Sequence, residues 1–192
     1  MFGLLTLSRV IDAATRFVGY HIRWLILAAV IVSAGNAVIR KAFDMSSNAW
    51  LELQALLFGA VFMLAAAYVL QKNAHVRIDV VSARLGKRAR DVIDLVCHVV
   101  MLAPLSVILI YLSVPFSIES FISGENSPNA GGLVVWPSKF LILAGFVLLF
   151  AQMVSEVIKR MAVLLGEIAE PEAQPIHGHE PADTAVGGGH GQ

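Results

Sequence analysis

The chain has 192 residues, of which 57% are hydrophobic and only 15% charged, and its formal net charge is zero. Soluble domains usually carry about 25% charged residues, so this composition excludes an ordinary water-soluble globule. We expect membrane lipids around the protein and no nucleic-acid partner. The single cysteine, Cys97, excludes an internal disulfide.

The first residues of the chain have an amphipathic pattern that precedes the first long apolar run. Leu4, Leu7 and Ile11 recur at helical spacing, and Arg9 lies off that stripe. This pattern is typical of a helix that lies in the membrane interface with its apolar face in the lipid. The sequence therefore predicts an interfacial amphipathic helix over residues 1–21.

Four apolar runs follow, and each is close to the roughly 20 residues that a helix needs to cross a bilayer. Lipid-facing backbone must pair all of its own polar groups, so each run is predicted to be helical. The predicted spans cover about 22–39, 50–70, 92–114 and 136–158, within a membrane domain over 22–165. We expect the first span to be retained rather than cleaved as a signal peptide, because its apolar run continues past the small residues that a signal peptidase would require.

The basic residues indicate which loops face the cytoplasm. Residues 71–91, between the second and third spans, contain six Lys or Arg, whereas residues 115–138 contain none. Cytoplasmic loops are enriched in Lys and Arg, so the basic loop and both termini are predicted to be cytoplasmic. Residues 166–192 contain prolines, histidines and a glycine run without apolar periodicity, which predicts a disordered tail.

The basic loop itself has a helical pattern. Its apolar residues are spaced for one face of a short amphipathic helix, and this face is predicted to lie on the membrane. Arg77 and Arg84 would then reach lipid phosphates. An ordinary basic anchor and a docking site for another protein both fit this loop.

Small residues and one proline identify candidate packing positions within the spans. Small side chains let two helices approach closely, and a proline inside a helix removes a backbone donor. The candidates are Ala29, Ser33 and Ala37 on the first span, Gly59 on the second, and Pro104 in the third, where we expect a kink.

Ionisable residues near the span ends leave alternatives open. Glu52 fits either a solvated acid at the end of the second span or a contact to a partner subunit. Asp91, Asp94 and His98 fit a weak metal or proton site less well than local ion pairing at a helix start. No nucleophile with a matching base, phosphate-binding loop or CxxC motif occurs. We therefore expect no catalytic, cofactor or metal site, and no enzyme.

Two stretches resemble a known transporter family. AHVRIDVV at 74–81, and ENSPNAGGLVVWP at 125–137 followed by KFLILAGFVLLFAQMVSEVIKR, resemble the small permease subunits of tripartite ATP-independent periplasmic (TRAP) transporters, the DctQ-like family. The likeness covers roughly residues 20–165, including the order and spacing of the spans.

The resemblance implies an all-α, four-span scaffold subunit of the bacterial inner membrane that binds a larger permease subunit. It also implies a periplasmic solute-binding protein that delivers organic-acid-like solutes for ion-driven import. By this resemblance, His75, Arg77 and Asp79 hold the cytoplasmic loop in place. The outer-loop residues that would meet the large subunit or the binding protein are Glu125, Asn126, Asn129, Gly131 and Gly132. The alternative function is a self-assembling four-span channel or ion carrier.

Overall fold

The computed structural model describes residues 2–44, 47–72, 92–93 and 95–165. This part of the chain is helical apart from its connections, with a single isolated β-bridge in the loop before the last helix. Four helices are long and apolar enough to cross a membrane, as predicted. They are α1 (Phe2–Phe43), α2 (Asn48–Gln71), α3 (Leu95–Ser123) and α4 (Trp136–Leu164).

The helices pack around α4. It contacts α1, α2 and α3, and α1 also packs along α2. Small residues line these contacts: Ala29, Ala60, Ala67 and Ala162 are buried, and α3 buries a row of serines at Ser106, Ser113, Ser117 and Ser120. Close helix approach through small residues is the usual way in which membrane helices pack, because lipid provides no hydrophobic drive between them.

Glycines mark the closest helix contacts. A methyl group added at Gly145 of α4 would lie 2.8 Å from Cβ of Met63 in α2, and one at Gly19 of α1 would overlap the ring of Tyr68. Gly59 has nothing within 4 Å of an added methyl group. The close approach of α2 to its neighbours therefore depends on Gly145 and Gly19 rather than on Gly59.

The predicted packing residues are divided between the interior and the surface. Ala29 is fully buried and Ser33 is half-buried, whereas Ala37, Gly59 and Pro104 are exposed. Contact of the exposed residues with a partner stays a prediction.

The first helix is longer than predicted. α1 is continuous over 42 residues and joins the predicted interfacial helix (1–21) to the predicted first span. No proline interrupts this helix, and Gly19, the glycine nearest to residues 21 and 22, accommodates the Tyr68 ring. At about 1.5 Å per residue, such a helix is roughly twice as long as the hydrocarbon core is thick. Residues 1–21 are thus not a separate element, and their position relative to the membrane surface stays a prediction.

The disturbance predicted at Pro104 takes the form of a π-helical turn. Residues His98–Leu102 form this turn, and the N–H of Ala103 donates to the carbonyl of His98, five residues earlier. Proline has no N–H and crowds the preceding turn, so a widened turn accommodates it. The hydroxyl of Ser106 donates to the carbonyl of Leu102 at 2.7 Å, which satisfies one of the local carbonyl groups.

α3 also continues beyond its predicted end at residue 114. Pro115 lies inside the helix, which ends at Gly124 in the left-handed conformation (φ 62°). The amphipathic helix predicted in the basic loop falls on residues 73–91, and the tail predicted to be disordered covers 166–192; both lie outside the described residues. The cytoplasmic orientation of the termini stays a prediction.

Candidate functional site

The loop between α3 and α4 forms a compact turn at one end of the bundle. Asn126 and Val134 form its β-bridge. The N–H of Ser127 donates to the carbonyl of Leu133, and the N–H of Val135 to that of Glu125, both at 3.0 Å. These bonds pair the two arms of the loop and present its polar tip to the start of α2.

Glu52 of α2 holds this tip. Its Oε1 accepts hydrogen bonds from the Ser127 hydroxyl and, at 2.8 Å, from Nδ2 of Asn129. Its Oε2 accepts from the N–H of Leu133 at 2.7 Å. Hydrogen bonds to a carboxylate are stronger than those between neutral groups, so these contacts fix the loop against α2. We call Glu52, Ser127, Asn129 and Leu133 the Glu52 cluster.

The adjacent glycines Gly131 and Gly132 of the loop have distinct roles. Gly131 has a φ of 71°, a conformation that side-chain-bearing residues rarely adopt. A methyl group at Gly132 would lie 2.6 Å from Cβ of Ser127 and 2.9 Å from Oε1 of Glu52. Gly132 therefore leaves the space in which the Glu52 carboxylate reaches the loop.

An ion pair closes the base of the loop. Lys139, in the first turn of α4, donates to Oε2 of Glu125 and lies 4.0 Å from the centre of the Phe116 ring. The hydrogen bond from the Lys139 ammonium lowers the pKa of Glu125 below its ordinary value. The hydroxyl of Ser117 on α3 donates to the Lys139 carbonyl at 3.0 Å, which joins α3 to the start of α4.

A polar cluster near the opposite end of the bundle joins α1 to α4. Oδ1 of Asp12 accepts from the Ser155 hydroxyl at 2.8 Å and from Nε2 of Gln152 at 2.9 Å. Nζ of Lys159 lies 3.1 Å from Oδ2 of Asp12 and also donates to Glu156. We call Asp12, Gln152, Ser155, Glu156 and Lys159 the Asp12 cluster.

The Asp12 cluster is largely shielded from solvent. Gln152 and Ser155 are fully buried, while the side chains of Asp12 and Lys159 are 17% and 19% exposed. Nε2 of Gln71, at the end of α2, donates to the backbone carbonyl of Asp12 at 2.7 Å, so the cluster also contacts α2. The Lys159 ammonium joins the carboxylates of Asp12 on α1 and Glu156 on α4, and the bond from Gln71 adds α2 to the same cluster.

Neither cluster brings together the side chains that would hold a metal ion. Among the residues that the structure describes, no three His, Cys, Asp or Glu side chains are grouped so as to hold a metal ion. The Glu52 cluster joins α2 to the loop between α3 and α4, and the Asp12 cluster joins α1 to α4. Their arrangement is suited to holding helices in register.

The family model for the DctQ component of tripartite ATP-independent periplasmic transporters matches residues 28–163, which is more than half of the chain. The chain belongs to the DctQ family. No curated protein and no solved structure matches it. The DctQ match includes the Glu52 cluster and the α4 part of the Asp12 cluster, and it begins after Asp12 itself.

The loop residues singled out from the sequence fall in two groups. His75, Arg77, Asp79 and Arg84 lie outside the described residues, so their roles stay predictions. In the outer loop, Glu125, Asn129 and the two glycines contribute to contacts or turns within the chain, and Nδ2 of Asn126 donates to the carbonyl of Gly124 at 3.2 Å. Contact of these loop residues with the large permease subunit or the binding protein also stays a prediction.

Several polar residues of this DctQ protein were not singled out as site residues from the sequence. They are Asp12, Ser127, Lys139, Gln152, Ser155 and Lys159. A signal was present in α4, where Gln152, Ser155 and Lys159 recur at i, i+3 and i+7, a polar stripe in an apolar helix. Asp12 gave no comparable signal, because its partners are more than 100 residues away along the chain.

Proposed function

We propose that this protein is the non-catalytic scaffold subunit of an ion-driven TRAP transporter in the bacterial inner membrane. In this role it packs against the large permease subunit, which binds and moves the solute. A periplasmic binding protein delivers organic-acid-like solutes to the outer face of the complex. Family membership supports the transporter assignment, and the distribution of polar groups supports the scaffold role.

The observation that carries the scaffold proposal is the position of the charged side chains. In the described part of the bundle, the ion pairs join Glu125 to Lys139 at one end and Lys159 to Asp12 and Glu156 near the other. The buried polar residues of α3 between these ends are serines. A pathway for an ion or an organic acid needs charged or coordinating partners along its length, whereas these ion pairs lie near the two ends of the bundle.

The outer surface of the bundle supports a subunit that is covered by lipid and a larger partner. Large apolar side chains are exposed on every helix; Phe62, Tyr111 and Ile122 are each more than 75% exposed. Such a surface is stable in hydrocarbon or against another membrane protein. The Glu52 and Asp12 clusters keep this surface in a fixed shape.

Gene deletion combined with affinity purification tests the proposal. We expect the tagged chain to co-purify with a larger multi-span subunit, and we expect deletion of its gene to abolish solute uptake. Reintroduction of the wild-type gene should restore uptake. Full uptake after deletion would contradict the scaffold proposal. Ion conduction by the purified chain alone would instead support the self-assembling channel.

A further inference from the structure

Three arginines recur at seven-residue intervals on the exposed surface of α1. Arg9, Arg16 and Arg23 each follow a buried residue of the same helix, and each is exposed. None of them pairs with a carboxylate among the described residues. Asp12, the acid nearest to them in sequence, is held by α4 instead. We call these three residues the arginine row.

Two aromatic residues, Tyr20 and Trp24, lie beside Arg23, the last residue of the arginine row. The Arg23 guanidinium lies 3.5 Å from the centre of the Tyr20 ring and 6.0 Å from that of Trp24, and both rings are more than half exposed. Side chains of a helix lean toward its N-terminus, so Arg23 extends from its own turn toward Arg16. Exposed Tyr and Trp are typical of the headgroup level of a bilayer.

The exposed face of α1 becomes wholly apolar immediately after Trp24. Leu27, Ile31 and Val38 are exposed there, and the intervening Ala34 is also exposed. At about 1.5 Å per residue, residues 23–38 extend roughly 22 Å, more than the half-thickness of a hydrocarbon core. Exposed guanidinium groups and an apolar surface long enough for acyl chains thus adjoin on one helix.

We propose that Arg16, Tyr20 and Arg23 bind the phosphate of an anionic phospholipid whose acyl chains lie along Leu27 and Ile31. Guanidinium groups donate charge-assisted hydrogen bonds to phosphate oxygens, and the Tyr20 hydroxyl is a further donor. The positive charge, which has no carboxylate partner among the described residues, and the adjoining apolar face match the two parts of this lipid. The residues that would bind the phosphate lie before residue 28, where the DctQ family match begins.

Lipid titration of the full-length protein in neutral detergent tests the site. The protein is delipidated, and its thermal unfolding is followed with phosphatidylglycerol, with phosphatidylcholine, and with glycerol 3-phosphate as a soluble headgroup. We compare wild type with the double variant Arg16→Gln/Arg23→Gln. The matched control is Arg40→Gln/Lys41→Gln, two exposed basic residues at the other end of α1.

We expect phosphatidylglycerol to stabilise wild type and the control equally. Its apparent affinity for the double variant should fall about tenfold or more, because each basic side chain near an anionic headgroup contributes about fivefold. Phosphatidylcholine should bind weakly to all three proteins. Unchanged phosphatidylglycerol affinity in a folded double variant would overturn the proposal, and so would equal stabilisation by glycerol 3-phosphate.

Two further measurements keep the test decisive. Added salt should weaken phosphatidylglycerol binding to wild type, since exposed charges are screened, and salt-independent binding would overturn the proposal without any variant. The double variant is also co-expressed with the large subunit. If the large subunit no longer co-purifies with the double variant while phosphatidylglycerol affinity is unchanged, the arginine row contacts protein, and the lipid site is overturned.

Discussion

Glu52 is the residue on which the loop between α3 and α4 depends most directly, since it accepts three hydrogen bonds from that loop. We expect Glu52→Gln to loosen residues 127–133, because the amide has one acceptor oxygen and presents hydrogens to groups that also donate. The measurement is amide hydrogen exchange of the loop, which should become several-fold faster.

The matched control for this change is Glu119→Gln, which alters an exposed acid on α3. In this variant, the amide hydrogens of residues 127–133 should exchange at the wild-type rate. Equal protection of the loop in both variants would show that the Glu52 cluster does not hold it. The sequence placed Glu52 at the end of a span but left its role open, because its three partners are about 80 residues away.

Glu125 provides a pH dependence for the same loop. Its pKa is lowered in the folded protein by the bond from Lys139, so its stabilisation is present above the ordinary carboxyl pKa. That stabilisation is lost as the pH falls through the lowered, folded-state pKa. We expect proteolytic cleavage of the loop to increase over this acid range.

The variant Glu125→Gln isolates this effect. It should lack the acid step due to Glu125, while any contribution from Glu52 remains in both proteins. An identical pH profile in the variant would contradict the assigned role of the Lys139 pair. Lys139 was not singled out from the sequence. It lies just after residues 115–138, which contain no Lys or Arg, and inside the first turn of the predicted fourth span.

At the level of whole helices, the Asp12 cluster fixes α1 to α4. We expect Lys159→Met to destabilise the protein by about 2 to 4 kcal/mol, because it leaves two largely buried carboxylates without their cation. Reversible denaturation in mixed micelles measures the change. Lys41→Met, at an exposed position on α1, should change stability little. A similar small effect at Lys159 would refute a holding role for the cluster.

Glycines give a second prediction for the helix pair α2 and α4. Gly145→Ala should destabilise by about 1 to 3 kcal/mol, because its methyl group would lie 2.8 Å from Cβ of Met63. Gly59→Ala meets no atom within 4 Å and should be neutral or slightly stabilising, since alanine is the better helix former. The same denaturation assay distinguishes them, and equal effects would contradict the described packing.

The lengths and bends of the helices were only partly predictable. Apolar runs located all four spans, because a bilayer requires about 20 apolar residues in each. They did not predict that α1 continues through residues 21 and 22, where the sequence changes from amphipathic to apolar without a helix breaker. They also did not predict the form of the disturbance at Pro104, because the choice between a kink and a π-turn depends on neighbouring hydrogen bonds.

At the scale of the whole molecule, the sequence and the structure contribute different parts of the account. Composition required a membrane protein, and ENSPNAGG with the following helix indicated the DctQ family that the match over residues 28–163 establishes. The packing around α4 was not predictable, because single small residues such as Gly59 and Gly145 look alike in sequence. Only the structure shows which of the two meets another helix.

Reconstitution into liposomes is the most direct test of the central claim that this chain supports a transporter without forming the pathway itself. Proteoliposomes contain this chain alone, the large subunit alone, or both, with an ion gradient and the solute-loaded binding protein outside. The account predicts solute uptake only when both subunits are present, and neither uptake nor ion flux with this chain alone. Ion flux through this chain alone, or full uptake by the large subunit alone, would contradict it.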